Sequence, residues 1–365
     1  MTMEQEEYTG RLKEILSIHF DPKKGSPYWL ERARQLGIDP ARDVRTLQDL
    51  KFFGPMEEEA MKERPIEDFV PRCYRAEKTR WVVGETGGTT GRPMTTVYME
   101  DEFHLAFVHP FERVAQYRNF PRGENWLWIG PSGPHIIGKA AIACARALGS
   151  PDPFSVDFDP RWAKRLAPDS IGFKRYLDHV IEQAMQIIVT QDVNVLFTTP
   201  RVLRRLKDTM SKKDREVIRG IHFGGMELEK DLFQAIAEAF PMAVFISGYG
   251  NTLFGMCPEF TGDPASPLDY YPMGRRLVFQ TVPLIPGMTP EEKLKQPCKA
   301  GEVGQVVFSR LDRSFLIINL FERDQGELVF PTEVPRRMDC NGQGLRNPHP
   351  LKIKGSERDV ATGLY

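Results

Sequence analysis

Apolar positions along the first part of the chain recur at helical spacing. In "GRLKEILSIHF", Leu12, Ile15, Leu16 and Phe20 fall on one face of a 3.6-residue period. "SPYWLERARQLGI" then opens on Ser-Pro, a helix-start signal. The stretch to about Asp68 therefore predicts helices broken by turns. From "TRWVVGETGGTTGRP" onward the period alternates. The β-like runs "TTVYM", "NWLWIG", "VNVLFTTP", "IRGIHFGG" and "MAVFISGYG" are interleaved with helical "IIGKAAIACARALG", "FKRYLDHVIEQAMQIIV", "VLRRLKDTMSK" and "EKDLFQAIAEAF". That alternation predicts an α/β sheet, and its glycine-bearing turns follow strands, where open α/β sheets place ligands. Beyond Thr261, "RRLVFQTVPL", "GEVGQVVFSRL" and "SFLIINLF" predict a smaller β subdomain.

At 365 residues the chain exceeds what one core usually supports, so one large domain with subdomains or two closely joined domains are expected. Hydrophobic residues at 41%, charged ones at 27% and a net charge of −1 describe an ordinary globular protein without the basic field that nucleic acid demands. The acidic N-terminus lacks an apolar leader, and no apolar run is long enough to span a bilayer, so no membrane partner is expected and the cytoplasm is the expected location. Five scattered cysteines without CxxC spacing read as free thiols.

The stretch "GETGGTTGRPM", residues 84 to 94, is dense in glycine and threonine. Glycine is costly to order, so such a segment needs either a ligand or a linker's freedom to explain it. Exposed backbone N–H groups beside hydroxyls make a concave donor surface suited to phosphate oxygens. It is not the GxxxxGK[ST] loop, since no Lys-Ser or Lys-Thr stands at the required place.

"TGGTTGRPM" resembles the signature [ST]-[SG]-G-T-T-G-x-P-[KT] of adenylate-forming enzymes, the superfamily of acyl-CoA ligases, nonribosomal-peptide adenylation domains and luciferases. "SPYWLERARQLGIDP", "RTLQDLKFFGPM" and "YRAEKTRWVVGETGGTTGRPM" are similar to the start of its phenylacetate-CoA ligase branch. "FGGMELEKDLFQAIAEAF", "SGYGNT", "GEVGQVVFSRLDRSFLIINLFERDQGELV" and "LKIKGSERD" resemble later family segments, in order. The resemblance implies a helical lead-in over 1–75, an α/β nucleotide- and acid-binding core over 76–260, a β-rich subdomain over 261–350 and a hinge-like end over 351–365. It further implies that the family's C-terminal lid domain, with its catalytic Lys, is absent from this chain.

Residue by residue, the resemblance places Thr86, Gly88, Thr89, Thr90 and Gly91 around the ATP phosphates, with Thr252 donating to the phosphate and Thr89 and Thr252 closest to the chemistry. The cation that the missing lid would bring is expected from Arg92, Arg323 or a partner chain. Gly224, Gly225 and Met226 would line the adenine, with Tyr249, Gly250 and Asn251 beside it, and Asp324 would accept from the ribose hydroxyls. His135, Ile136, Ala143 and Phe223 would wall the acid. Blander roles stand beside these: Tyr249 as a core aromatic, Asp324 as a turn residue, His135 as a helix cap. The family's magnesium-holding glutamate is Leu253 here, which cannot ligate a hard cation. Either Glu259, Glu227 or water-mediated contacts supply the ligand, or adenylation is impaired. The signature's last position is Met94, where many members have Lys.

The implied function is ATP-dependent activation of a carboxylic acid, expected to be aromatic, as an acyl-adenylate. The acyl group would pass to a thiol such as coenzyme A or to a partner protein. Truncated members act in natural-product pathways, phenazine tailoring among them. The alternative is a nucleotide- and acid-binding scaffold weakened in turnover. A nicotinamide-linked reductase is set aside, because no GxGxxG follows a strand with an acidic partner downstream.

Overall fold

The structure is a computed structural model that describes residues 3–88, 91–163, 165–167, 170–225 and 228–351. Its strands among those residues are β1 (Trp81–Glu85), β2 (Thr95–Met99), β3 (Asn125–Ile129), β4 (Phe154–Val156), β5 (Val193–Thr198), β6 (Gly220–Gly224) and β7 (Val244–Asn251). They continue with β8 (Gly255–Pro258), β9 (Asp269–Tyr270), β10 (Leu277–Val282), β11 (Val303–Leu311), β12 (Leu316–Val329) and β13 (Gly344–Pro350).

The chain divides into two units that are not contiguous in sequence. One comprises Met1–Val83, Met94–Phe103 and Asp269–Leu351; the other comprises Gly84–Pro93, His104–Leu268 and Lys352–Tyr365. The N-terminal helices and the late β segments share one unit.

Side chains of the lead-in explain that sharing. Trp29 Nε1 donates to the Leu316 carbonyl at 3.0 Å, and the Arg11 guanidinium donates twice to the Leu311 carbonyl, at 3.1 and 2.8 Å. Asn319 Nδ2 donates to the Leu50 and Gly54 carbonyls at 2.7 and 3.0 Å. Phe20, Trp29 and Phe53 meet ring to ring at 5.4 to 5.9 Å, an apolar floor under the same helices. The sheet they cover is antiparallel, in the order β10-β11-β12-β13-β9.

The second unit is built on a six-stranded sheet in the order β4-β3-β5-β6-β7-β8. The pairings from β4 to β7 are parallel, and β8 runs antiparallel to β7. "NWLWI" and "VNVLFT" are buried at nearly every position, as strands covered on both faces are. Helices Ile136–Ala147, Ile171–Thr190, Pro200–Thr209 and Lys230–Ala239 alternate with these strands. From β3 the chain moves outward to β4 on one side, whereas from β5 it moves to β6 on the other. The carboxyl ends of β3 and β5 therefore flank a switch point, where open sheets of this kind form a binding crevice. No helix among the described residues is long and apolar enough to cross a membrane.

Candidate functional site

The rim of the second unit's sheet gathers the segments singled out from sequence. The glycine–threonine stretch begins at the end of β1 and is tied to two strand exits. The Glu85 N–H donates to the Pro134 carbonyl at 3.0 Å, on the segment between β3 and its helix. The Thr252 hydroxyl, just past β7, donates to the Glu85 carbonyl at 3.3 Å. A Cβ on Gly84 would lie 2.9 Å from Ile136 Cβ and 3.1 Å from Thr252 Cγ2, so the strand enters the rim in close contact with both. Glu85, Thr86, Ile136 and Thr252 are thus neighbours.

The β6–β7–β8 part of the rim is almost without side chains. Gly224 pairs with Gly248 across β6 and β7, and a Cβ on Gly224 would sit 2.6 Å from the Gly248 carbonyl oxygen. A Cβ on Gly250 would meet the Gly255 oxygen at 2.1 Å and Met256 Cα at 3.0 Å. Only glycine fits at either place, and the strand ends are left as bare, approachable backbone. Tyr249 stands among them, half-buried, its ring 5.6 Å from that of Phe254. Asn251 turns its Oδ1 inward, accepting from the Leu253 N–H at 2.8 Å and the Phe254 N–H at 3.2 Å. Beneath the rim His222 lies between Phe197 and Phe111, at 4.2 and 4.8 Å. Burial, opposed only by its bond to the Ile246 carbonyl, lowers its pKa to about 4.

The other expected site residues are spread more widely. His135 directly precedes the helix Ile136–Ala147 and is 9% exposed, but its side chain forms no cap bond. Ala143, two turns along that helix, lines a separate groove of about 530 Å3 with His104, Lys139, Ile142, Arg146 and Ala147. Phe223 is fully buried, its ring 5.5 Å from Phe233 and 6.4 Å from Phe245 under the helix Lys230–Ala239. Gly88 and Gly91, with φ of 60° and 148°, flank Thr89 and Thr90, which lie outside the described residues. Arg92 is exposed, and Gly225 follows β6 with φ of 76°. Met226, Glu227 and most of "LKIKGSERD" also lie outside the described residues. Asp324 belongs to the other unit, on β12 opposite Pro350, within a strand and not in a turn.

The magnesium question meets a definite geometry. Leu253 is 1% exposed, a core side chain. Glu259 is also buried, and its carboxylate is taken up by the Thr261 N–H and, at 2.7 Å, the Gly262 N–H. Among the described residues no group of three or more His, Cys, Asp or Glu is placed to hold a metal ion. The described rim does not fit a magnesium site built on these positions.

One residue of this rim carried no signal in the sequence. Arg161, in "DPRWAKR", donates through Nη2 to Glu85 Oε2 at 2.7 Å and to the Thr86 carbonyl at 3.4 Å. Its partner Glu85 directly precedes the signature, at a position the resemblance assigns no role.

No protein-family model matches the chain, and no curated protein sequence matches it. Among solved structures it is similar to 2-hydroxyisobutyryl-CoA ligase in the postadenylation state with R3-HIB-AMP. The TM-score is 0.65 at 14% identity, over 96% of this chain and 69% of the ligase. The same ligase in the thioesterification state, with 2-HIB-AMP and CoA, gives 0.60 at 14% identity, over 96% of this chain and 68% of the ligase. The chain thus has the mixed α/β fold of the N-terminal domain of adenylate-forming enzymes.

Proposed function

We infer that this protein binds ATP and activates a carboxylic acid as its acyl-adenylate. The observation that carries the reading is the tie of the glycine–threonine stretch to two strand exits, through Glu85 to Pro134 and through Thr252 to Glu85. That tie brings the start of a stretch rich in amide and hydroxyl donors to a rim almost without side chains, and donors of this kind suit a phosphate chain. In the reaction a carboxylate oxygen attacks the α-phosphorus in line and pyrophosphate leaves. Rim donors would stabilise the charge that builds on the phosphoryl oxygens. Among the described residues no carboxylate is free at the position where a magnesium ligand is expected, Leu253 being buried and Glu259 held by backbone N–H groups.

The finer assignments rest on the sequence resemblance. Tyr249 faces the base, Asp324 accepts from the ribose diol, and His135 and Ile136 border an aromatic acid. The acyl group passes to coenzyme A, to another thiol or to a partner protein, in a cytoplasmic biosynthetic pathway such as antibiotic or phenazine formation. A second reading, a nucleotide- and acid-binding scaffold weakened in turnover, is favoured by one observation: Leu253 is a core residue, not a ligand.

The test combines calorimetry of AMP and ATP with pyrophosphate release over a panel of aryl and alkyl acids. Nucleotide binding with release driven by aryl acids supports the first reading. Binding without release supports the second, and absence of binding rejects both.

A further inference from the structure

Arg161 reaches the glycine–threonine stretch from a backbone fixed on both sides. Where β4 ends, Asp157 ties its exit to that of β3, accepting from the Ser132 N–H and from Ser132 Oγ, each at 2.8 Å. The Asp159 N–H donates to the Tyr176 hydroxyl at 2.7 Å. Asp159 Oδ1 in turn accepts from the N–H groups of Arg161 and Trp162 at 2.8 and 3.2 Å. Only the side chain of Arg161 is then left to choose a partner.

Its choice is incomplete. Nη2 donates to Glu85 Oε2 and to the Thr86 carbonyl, at 2.7 and 3.4 Å. Nε lies on the same edge of the guanidinium, is buried, and has no hydrogen-bond partner among the described residues. In Arg276 and Arg146 that edge is filled: Asp312 takes both Nε and Nη2 of Arg276, and Asp152 takes both of Arg146. Arg75 and Arg215 also bury an Nε without a partner among the described residues, but neither lies beside the glycine–threonine stretch as Arg161 does. Native structures rarely leave a buried donor unmatched, and a guanidinium edge is shaped for two oxygens of one carboxylate or phosphate. Glu85 supplies one of the two.

We propose that Arg161 is a phosphate-binding residue that takes the phosphate chain of a nucleoside triphosphate on its Nε–Nη2 edge, with Glu85 the internal anion that holds the guanidinium in place beforehand. This rests on the nucleotide reading above and adds to it a residue and an exchange of partners. Glu85 competes with the phosphate for the same donor, so the two side chains act on ATP affinity with opposite signs. A plain clamp on the loop would give both the same sign.

The experiment titrates ATP and AMP calorimetrically into the full chain and into Arg161→Ala, Arg161→Lys and Glu85→Gln, with melting temperatures recorded to confirm folding. Arg161→Ala is expected to weaken ATP by about 10- to 100-fold, the range for a lost charge-assisted pair, and AMP much less. Arg161→Lys falls between, and Glu85→Gln tightens ATP a few-fold. Equal weakening of ATP by Arg161→Ala and Glu85→Gln overturns the proposal, as does an ATP-to-AMP affinity ratio that Arg161→Ala leaves unchanged. If the wild-type chain binds neither nucleotide, the function reading fails first and this proposal with it. If AMP and ATP bind but Arg161→Ala changes nothing, the proposal fails alone.

Discussion

The interior of the first unit and the rim of the second solve opposite problems. In the first, charge is buried and matched. Asp312 accepts from Arg276 at 3.0 and 2.6 Å and from Arg310 Nε at 2.5 Å, and Arg310 also donates to Thr96 Oγ1 at 2.8 Å and the Val97 carbonyl at 2.6 Å. The Arg310 guanidinium lies 3.5 Å over the Tyr98 ring. Burial alone would raise the Asp312 carboxyl; the guanidinia, Arg276 foremost, outweigh it and hold the pKa at about 2. In the second unit the rim at Gly224, Gly248 and Gly250 has no side chains to match. The difference teaches where chemistry is available: a network whose donors are all engaged fixes a structure, and a surface that leaves backbone open can take a ligand.

The largest effect should come from breaking the network. Asp312→Asn leaves two buried guanidinia without their counter-charge, and loss of one partner from a buried pair costs about 3–5 kcal/mol. Urea unfolding measures it. A loss below about 1 kcal/mol would mean that the network contributes little, and the contrast between the units would fail on its first side.

His19 in the first unit and His222 in the second are both deeply buried, which allows a like-for-like test by pH. His19 donates from Nε2 to the Asp312 carbonyl at 2.9 Å, because a carbonyl can only accept, and its Nδ1 accepts from Ser26 Oγ at 2.6 Å. Both bonds suit the neutral ring, and burial, opposed by the Asp312 carbonyl, lowers its pKa from 6.5 to about 4. His222 is lowered to the same value. The unfolded chain therefore takes up these protons first. Stability is complete above pH 6.5 and falls as pH drops toward 4, by about 3 kcal/mol per histidine. His19→Gln and His222→Asn, each keeping the donating position, should each remove one share of that slope. A flat stability profile across this window would contradict both assignments.

A smaller effect is expected at the rim. Gly250→Ala places a methyl 2.1 Å from the Gly255 oxygen, so β7 and β8 must separate. Overpacking of this kind costs about 1–3 kcal/mol, and nucleotide affinity should fall with it. Unchanged stability and unchanged ATP affinity in Gly250→Ala would show that the bare rim has no role in either.

How far the sequence reveals each region follows the same divide. Most helices and strands stand where the hydrophobic periods place them, from the helix Met3–His19 to β7, because their signals are local. The rim glycines were legible for the same reason, being spelled out in "FGG" and "SGYG". β13 was not: "GLRNPHP" carries two prolines, tolerable because β9 pairs with it only at Leu345 and Arg346, leaving Pro348 and Pro350 on an open edge. β12 runs on through the charged "ERDQGE", which has no strand signal, because β11 and β13 flank it. Arg276 and Asp312 are 36 residues apart and Arg161 and Glu85 are 76 apart, so neither pair could be read from spacing. Motifs report what the backbone does locally; side-chain partners are a property of the fold.

The finest test separates two roles that one threonine combines. The Thr252 hydroxyl donates to the Glu85 carbonyl at 3.3 Å, while its methyl packs where a Gly84 side chain would otherwise go. Thr252→Val keeps the methyl and removes the donor; Thr252→Ser keeps the donor and removes the methyl. The bond is part-buried and long, so Thr252→Val should lose about 0.5–1 kcal/mol of stability. If the hydroxyl serves mainly to hold the start of the glycine–threonine stretch against β7, ATP affinity should fall a few-fold in Thr252→Val and return in Thr252→Ser. If the methyl contact holds that stretch instead, the order of the two variants reverses. Equal affinities in both would mean that the tie to Pro134 positions Glu85 unaided, and that the start of the glycine–threonine stretch needs no side chain from the end of β7 to hold it at the rim.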